Sequence, residues 1–302
     1  MAEGIARRCG FVALIGAPNV GKSTLINALV GAKVSIVTPK VQTTRALMRG
    51  IAIQGPAQLI FVDTPGIFSP RRRLDRAMVG TAWGGAQDAD VVALVIDAHK
   101  GVLDDDEAIL NGLGDVRAVK VLVLNKVDLI DKPKLLALTQ KLNEHAAFAA
   151  TFMVSALSGS GVADLKSWFA AHVPAGPWLY PEDQITDAPL RQFAAEITRE
   201  KLYLRLHQEL PYQSTVETEV WKELRDGSVR IEQTIYVERE SQRKIVLGKA
   251  GQAIKAIGAA ARADITAAIE QKVHLFLHVK VRQGWGDDPE RYREMGLEFP
   301  KE

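Results

Sequence analysis

The run Gly16-Ala17-Pro18-Asn19-Val20-Gly21-Lys22-Ser23, followed by Thr24, fits the pattern G-x-x-x-x-G-K-[ST]. Glycines at these positions let a loop curl so that its backbone N–H groups converge on phosphate oxygens, helped by the positive end of the helix that follows. In such a loop Lys22 reaches the β- and γ-phosphates and Ser23 holds Mg²⁺. The chemistry implied is binding of a nucleoside triphosphate, and the loop alone does not select the base.

Asn125-Lys126-Val127-Asp128 makes that selection. A carboxylate at Asp128 accepts from guanine N1–H and the 2-amino group together; adenine offers neither donor, and the wrong base leaves a buried acceptor unpaired. Asn125 is expected to tie this segment to the phosphate loop, and the stem of Lys126 to cover the base. Ser155-Ala156-Leu157 is expected to offer a backbone N–H to the guanine carbonyl oxygen. Asp63-Thr64-Pro65-Gly66 is good turn chemistry, but in this setting Asp63 is expected to reach Mg²⁺ through water. The Gly66 N–H would contact the γ-phosphate and so sense hydrolysis. Thr43-Thr44 supplies a further hydroxyl for Mg²⁺, with Thr44 preferred over Thr43. The catalytic expectations are therefore Lys22, Thr44 and Gly66, and the metal set is Ser23, Thr44 and Asp63.

These segments need strands and helices to hold them. Short apolar runs at Gly10–Ile15, Leu47–Ile53, Ala57–Val62, Val91–Asp97, Lys120–Leu124 and Thr151–Val154 read as strands. They alternate with helical patterns at 22–31, 72–86, 104–113, 133–147 and 161–172, which predicts a mostly parallel sheet covered on both faces. A run such as Val91–Ile96, apolar at every position, suits a strand buried on both sides. Asn125 directly follows such a strand, so it lies at the carboxyl edge of the sheet, where ligands bind in such folds. Arg7-Arg8 before Cys9–Ala17 could pass for a short signal sequence; leading straight into the phosphate loop, the run reads as a buried first strand. Asp104-Asp105-Asp106 suits a helix N-terminus, and Arg71-Arg72-Arg73 reads as a solvated face or a contact with a partner.

Four prolines and a glycine crowd Val173–Pro189 and argue against a regular element there. Beyond it an amphipathic helix is expected over about 189–208, then strands at about 213–223 and 229–238 joined at Asp226-Gly227, a hairpin turn signal. A helical stretch around Gly251–Ile269 and a strand Val273–Val281 follow, and the order is read as α-β-β-α-α-β, with a helix on each side of Gly248–Gly251. Gly248-Lys249-Ala250-Gly251 fits G-x-x-G, a loop able to approach a nucleic-acid backbone closely. Apolar Ile245, Val246, Leu247, Ile254 and Ile257 flank it, some to build a core and some to floor a groove for unstacked bases.

Bulk charge says little about this. The chain carries 38 Lys+Arg against 36 Asp+Glu, a net charge of +2, which excludes a bulk polycation or an acidic solvating chain. Residues 181–302 are net −2, yet Arg239–Arg262 alone is +5. The single cysteine, Cys9, excludes an internal disulfide, and no Cys/His cluster has zinc spacing. No apolar run approaches the length of a bilayer span.

The nucleotide segments, in this order, resemble the motifs of translation-factor-related GTPases over residues 10–172. Two departures bear on mechanism. Ile67 stands where Ras-like enzymes carry a glutamine that orients the attacking water, which places the chain with the hydrophobic-substituted subgroup and implies slow intrinsic hydrolysis. Asn19 stands where related GTPases use an asparagine to help bind K⁺; it is equally suited to a local turn contact. A GTPase domain joined by a Pro-rich linker to an α-β-β-α-α-β module, the type II KH order, resembles the Era family specifically, from Gly10 to Trp285. Matching segments are Tyr180-Pro181-Glu182-Asp183, Glu209-Leu210-Pro211-Tyr212, Val279-Lys280-Val281 and Gly284-Trp285. The division expected is 1–173 for the GTP-binding domain, 174–189 for the linker, 190–288 for the KH domain and 289–302 for a tail with no assigned role.

The resemblance implies a GTPase that binds GTP and GDP with Mg²⁺, and K⁺ through Asn19. It also implies binding to 16S rRNA near its 3′ end, and a nucleotide-controlled role in assembly of the 30S ribosomal subunit. The RNA would meet Lys244, Ile245, Val246, Gly248, Lys249, Ala250, Gly251, Ile254 and Lys255. A cytoplasmic monomer, with peripheral association at the inner face of the membrane, belongs to the same implication. Two other readings stand beside it: a constitutive RNA-binding module whose nucleotide domain is only a sensor, and an RNA-modification GTPase of the same superfamily.

Overall fold

The computed structural model describes residues 6–40, 43–45, 47–70, 72–206, 210, 213–284, 288–294 and 296–300. Its chain divides into two compact units. The first takes in the described residues up to Ser35, Thr44–Asp187 and those from Tyr292 onward; the second takes in Ile36–Thr43 and Ala188–Arg291.

The first unit is a six-stranded sheet in the order β2-β3-β1-β4-β5-β6. Its strands are β1 (Arg8–Ile15), β2 (Met48–Gln54), β3 (Ala57–Asp63), β4 (Val91–Asp97), β5 (Val119–Asn125) and β6 (Ala150–Val154). Only β2 runs antiparallel to its neighbour; the pairs β1–β3, β1–β4, β4–β5 and β5–β6 are parallel. The connecting helices are α1 (Lys22–Val30), α2 (Arg73–Gln87), α3 (Asp104–Gly112), α4 (Lys132–His145) and α5 (Val162–His172). Every residue of β3 and β4 is buried, as expected of strands with a layer on each face. The run Cys9–Ala17 is β1 and the start of the phosphate loop. Asp104-Asp105-Asp106 opens α3, and Asp106 Oδ2 accepts the Leu103 N–H at 3.0 Å.

The segment after α5 has no helix or strand, as its prolines require, but it belongs to the first unit. The Ile51 N–H of edge strand β2 donates to the Ile185 carbonyl at 2.8 Å, and Arg49 pairs with Asp187 at 2.7 Å. Gln58 accepts from the N–H groups of Leu179 and Tyr180 at 2.8 and 3.0 Å. An edge strand presents unpaired backbone groups, and this strap satisfies some of them. The unit boundary therefore falls after Asp187, later than the 173/174 division read from the prolines. Proline content forbids regular structure without saying what the irregular chain lies on.

The second unit has helices α6 (Leu190–Arg205), α7 (Glu240–Leu247) and α8 (Gln252–Ile269), and the strands β7 (Ser214–Glu223), β8 (Val229–Val237) and β9 (Val273–Val281). β7 and β8 form an antiparallel hairpin and β9 joins β8 in parallel. The order α-β-β-α-α-β is the one expected, and the unit is a KH fold with its own core around Leu202, Ile235, Val246 and Ile257. Arg71, Glu209, Pro211, Tyr212 and Trp285, all used in the sequence reading, lie outside the described residues. The tail, residues 289–302, has no role assigned from the sequence. It begins with α9 (Pro289–Glu294), and from Tyr292 it rejoins the first unit. There Tyr292, fully buried, and Leu297 cluster with Leu74, Ala77 and Met78 of α2.

Candidate functional site

Register places the nucleotide segments side by side. Leu14 pairs with Asp63, Asp97 with Asn125, and Asn125 with Val154. The loops that follow these strands thus emerge along one carboxyl edge of the parallel sheet. Two glycines of the phosphate loop are dictated by space as well as by conformation. Gly16 has φ +151°, and a Cβ there would sit 2.4 Å from the Val95 carbonyl oxygen; at Gly21, with φ +102°, it would sit 2.3 Å from Asn125 Nδ2. Asn19 takes the left-handed conformation with φ 63°.

Lys22 is the first residue of α1, and its ammonium folds back to donate to the Gly16 and Ala17 carbonyls at 2.9 and 3.0 Å. Burial lowers its pKa to about 8, opposed by the charges of Asp63 and Asp106. Asn125 ties three loops: Nδ2 donates to the Val20 carbonyl at 2.8 Å, and Oδ1 accepts the Ala156 N–H at 3.0 Å. Lys126, at φ 64°, donates to the Asn19 carbonyl at 2.8 Å and to Asp97 Oδ2 at 2.7 Å. Those two bonds fix the ammonium and leave its stem along the loop. Asp128 and Leu157 are exposed, whereas Ser155 and Ala156 are buried. Thr24 and Val20 belong to the loop and its helix, with Val20 in the core.

The carboxylate of Asp63, at the end of β3, is completely buried. Its Oδ2 accepts from Ser23 at 2.7 Å, from Ser35 at 2.5 Å and from Thr44 at 3.3 Å. Its Oδ1 is buried with no hydrogen-bond partner. Burial pushes the Asp63 carboxyl up, and the hydroxyls of Ser35 and Ser23 oppose the shift. Thr43 turns elsewhere, its hydroxyl donating to the Lys40 carbonyl at 2.7 Å. Thr64 donates to the Leu14 carbonyl at 2.6 Å, and Pro65 is buried beside it. Gly66 passes so close to Pro18 that a Cβ would lie 2.9 Å from its ring, and the Ile67 N–H donates to the Gly16 carbonyl at 3.1 Å. The Ile67 side chain is in the core.

Ser23, Thr44 and Asp63 suit a hard divalent cation that arrives with phosphate oxygens, since Mg²⁺ is held by one or two carboxylates plus substrate. An orphaned carboxylate oxygen beside two converging hydroxyls is the feature that such an ion would relieve. Among the described residues no group of three or more His, Cys, Asp or Glu could hold a metal by itself. Sequence reasoning missed Asp97 and Ser35. Asp97 had a signal, as the last residue of a buried strand next to Asn125; Ser35 had none.

Within the second unit the glycine loop lies between α7 and α8. Gly248 (φ 73°), Ala250 (φ 50°) and Gly251 (φ 74°) all have positive φ. Lys244, Ile245, Lys249, Ala250 and Lys255 are exposed, with Ile245 at 57%, and Ile254 is half-buried. Val246 is a correction to the expected RNA set. It is 0% exposed in the core with Ile235 and Ile257, so no ligand can touch its side chain. In the same unit Ile36–Thr43 packs on α6. The Val37 N–H donates to Glu200 at 2.9 Å, Arg199 donates to the Thr43 carbonyl at 2.5 Å, and Lys40 caps the carbonyls of Tyr203 and Leu206.

Comparison with known proteins adds to this geometry. A family described as 50S ribosome-binding GTPase matches residues 11–126, and the KH domain family matches residues 209–286. The chain is 69% identical over 298 residues to the GTPase Era of Brucella suis biovar 1, covering 99% of this chain and 96% of that one. It is 70% identical over 295 residues to the GTPase Era of Afipia carboxidovorans, covering 98% and 96%. Among solved structures, a variant of Aquifex aeolicus Era bound to GDP and aluminium fluoride superposes with a TM-score of 0.90 at 37% identity, covering 96% of this chain and 99% of that one. An Era chain in complex with MgGDPNP and nucleotides 1506–1542 of 16S ribosomal RNA gives 0.91 at 37% identity, with the same coverage.

Proposed function

The chain belongs to the GTPase Era family and hydrolyses GTP, and from that membership we propose that it does so as a switch on RNA binding during assembly of the small ribosomal subunit. The RNA proposed is the single-stranded region near the 3′ end of 16S rRNA; a relative of known structure is in complex with nucleotides 1506–1542 of 16S ribosomal RNA. It would be bound by the loop Gly248–Gly251 with Lys244, Ile245, Lys249, Ile254 and Lys255, and the setting proposed is the cytoplasm. Among the described residues no helix is long and apolar enough to cross a membrane.

The proposed nucleotide site is the carboxyl edge of the sheet. Bound with GTP, Mg²⁺ would supply positive charge opposite the β- and γ-phosphate oxygens, held by Ser23 and Thr44 and approached by Asp63. Lys22 would exchange its two loop carbonyls for phosphate oxygens, and the Gly66 N–H would meet the γ-phosphate. With Ile67 in the core, no side chain at that position orients water, which supports slow intrinsic turnover. Asn19 is the proposed K⁺ contact.

One observation carries the switch. The segment Ile36–Thr43, which leads directly into Thr44, is packed on α6 of the KH unit. Drawing Thr44 onto a nucleotide-bound cation must act on that segment, and coupling of this kind is reciprocal. The affinity of the full chain for a single-stranded RNA of the 16S 3′-end sequence is expected to be about 5- to 150-fold higher with a non-hydrolysable GTP analogue than with GDP. Equal affinities would leave a constitutive RNA-binding module instead.

A further inference from the structure

Asp63 is satisfied in a lopsided way. Three hydroxyls crowd one carboxylate oxygen while the other, equally buried, has none. Two of the donors, Ser23 and Thr44, are the residues proposed to turn their oxygens toward the cation. The third, Ser35, makes the shortest of the three contacts and has no place in the motifs read from the sequence.

The way Ser35 is held explains what it does. Its N–H donates to Asn27 Oδ1 at 2.9 Å, and its carbonyl accepts from Asn27 Nδ2 at 2.8 Å. Asn27 stands four residues after Ser23 on α1, so the two side chains share one face of that helix. Ser35 is thereby fixed to the helix that carries Ser23. It is 2% exposed and ends the first unit's segment just before Ile36–Thr43 passes to the second. Thr44 lies on the far side of that segment. Of the two hydroxyls that reach Asp63 from outside α1, only Ser35 is anchored independently of Ile36–Thr43.

We propose that Ser35 is a positioning residue of the cation site. Its hydroxyl donates permanently to Asp63 Oδ2, sets the rotation of the carboxylate, and keeps Oδ1 turned toward the place of the hydrated cation. It also keeps the buried carboxylate partnered when Thr44 leaves. Groups that orient a metal-site carboxylate in this way change affinity for the ion when removed, by about 10- to 100-fold. This rests on the reading of Asp63 as the carboxylate of the magnesium site.

The test is the dissociation rate of a fluorescent GDP from the full chain, measured across free Mg²⁺ concentrations and in EDTA. Ser35→Ala is expected to raise the Mg²⁺ concentration needed for half-maximal retention of nucleotide by about 10- to 100-fold, and to leave the rate in EDTA within about twofold of the parent. Ser35→Cys, close in volume and a weak donor, is expected to shift it in the same direction by less, and it serves if the alanine variant folds poorly. An equal acceleration in EDTA would mean that Ser35 only supports the loop, and no shift in either condition would mean that it does not orient Asp63; both overturn the proposal. Asp63→Asn separates the two levels. If Mg²⁺ dependence survives that change, the reading of the site has failed. If it is lost while Ser35→Ala is silent, only the role of Ser35 has.

Discussion

Lys22 shows how a single residue sets a measurable pH dependence. Without nucleotide its burial favours the neutral amine, with a pKa of about 8; phosphate oxygens favour the charged form and raise that value again. Above pH 8 the free protein has lost the proton that the complex keeps, so binding takes one up. GTP affinity is expected to fall above about pH 8 with a slope approaching tenfold per pH unit. Titration calorimetry at pH 9 in buffers of different ionisation enthalpy checks this, and no proton uptake would contradict it. Folding has the opposite sign: a lowered lysine pKa makes the empty protein gain stability as pH rises from about 8 toward the unfolded value. At this scale the sequence was informative where spacing carries the chemistry. Asn125, 105 residues from the Val20 carbonyl it donates to, was readable because N-K-x-D after a buried strand has one use. Ser35 was not, because its function depends on Asn27 and Asp63 meeting it in three dimensions. Val246 was misread because a residue flanking a glycine loop can face either way, and only the helix phase of α7 decides.

The glycine loop shows what elements add. Gly248 (φ 73°) has Ala253 Cβ 2.6 Å from where a side chain would begin, so Gly248→Asp would distort the loop as well as block it. Exposed Lys249 and Lys255 make cleaner tests. Each charge that meets a phosphate contributes about 0.7 to the slope of log affinity against log salt for single strands. Lys249→Ala and Lys255→Ala are each expected to lower that slope by about this amount while GTP affinity is unchanged; an unaltered slope in both would move the RNA site elsewhere. The three strands, α6 and α8 were readable from period and turn signals, including the hairpin at Asp226-Gly227, whereas α7 was given no range. What lies on α6 was not. Arg199 and Glu200, 2% and 4% exposed, are charges on a helix surface until the chain from Ile36 to Thr43 is seen to cover them. Local sequence gives no sign of a partner more than 150 residues away.

On the scale of the whole molecule, the chain forms two units, and neither is one continuous stretch. Tyr292, fully buried against Leu74 and Met78 with Phe299 edge-on at 4.9 Å, makes the tail part of the first unit's core. Truncating a buried aromatic costs about 3–5 kcal/mol. Tyr292→Ala is therefore expected to lower the unfolding midpoint of the first unit by about 6–20 °C and to leave that of the second in place. A fragment ending at Asp187 should show the same loss, with Leu74 and Met78 exposed. An undiminished midpoint in both would mean that the tail is ornamental.

The return of the tail also has a consequence for synthesis. A ribosome that has released Asp187 must still make the roughly one hundred residues of the second unit before Tyr292 can reach α2. At roughly 5–20 residues per second, the nucleotide-binding unit waits about five to twenty seconds with Leu74 and Met78 uncovered. During that interval a nascent chain offers chaperones an apolar patch on the helix that follows Asp63–Gly66, and the patch closes only after the KH unit has been made.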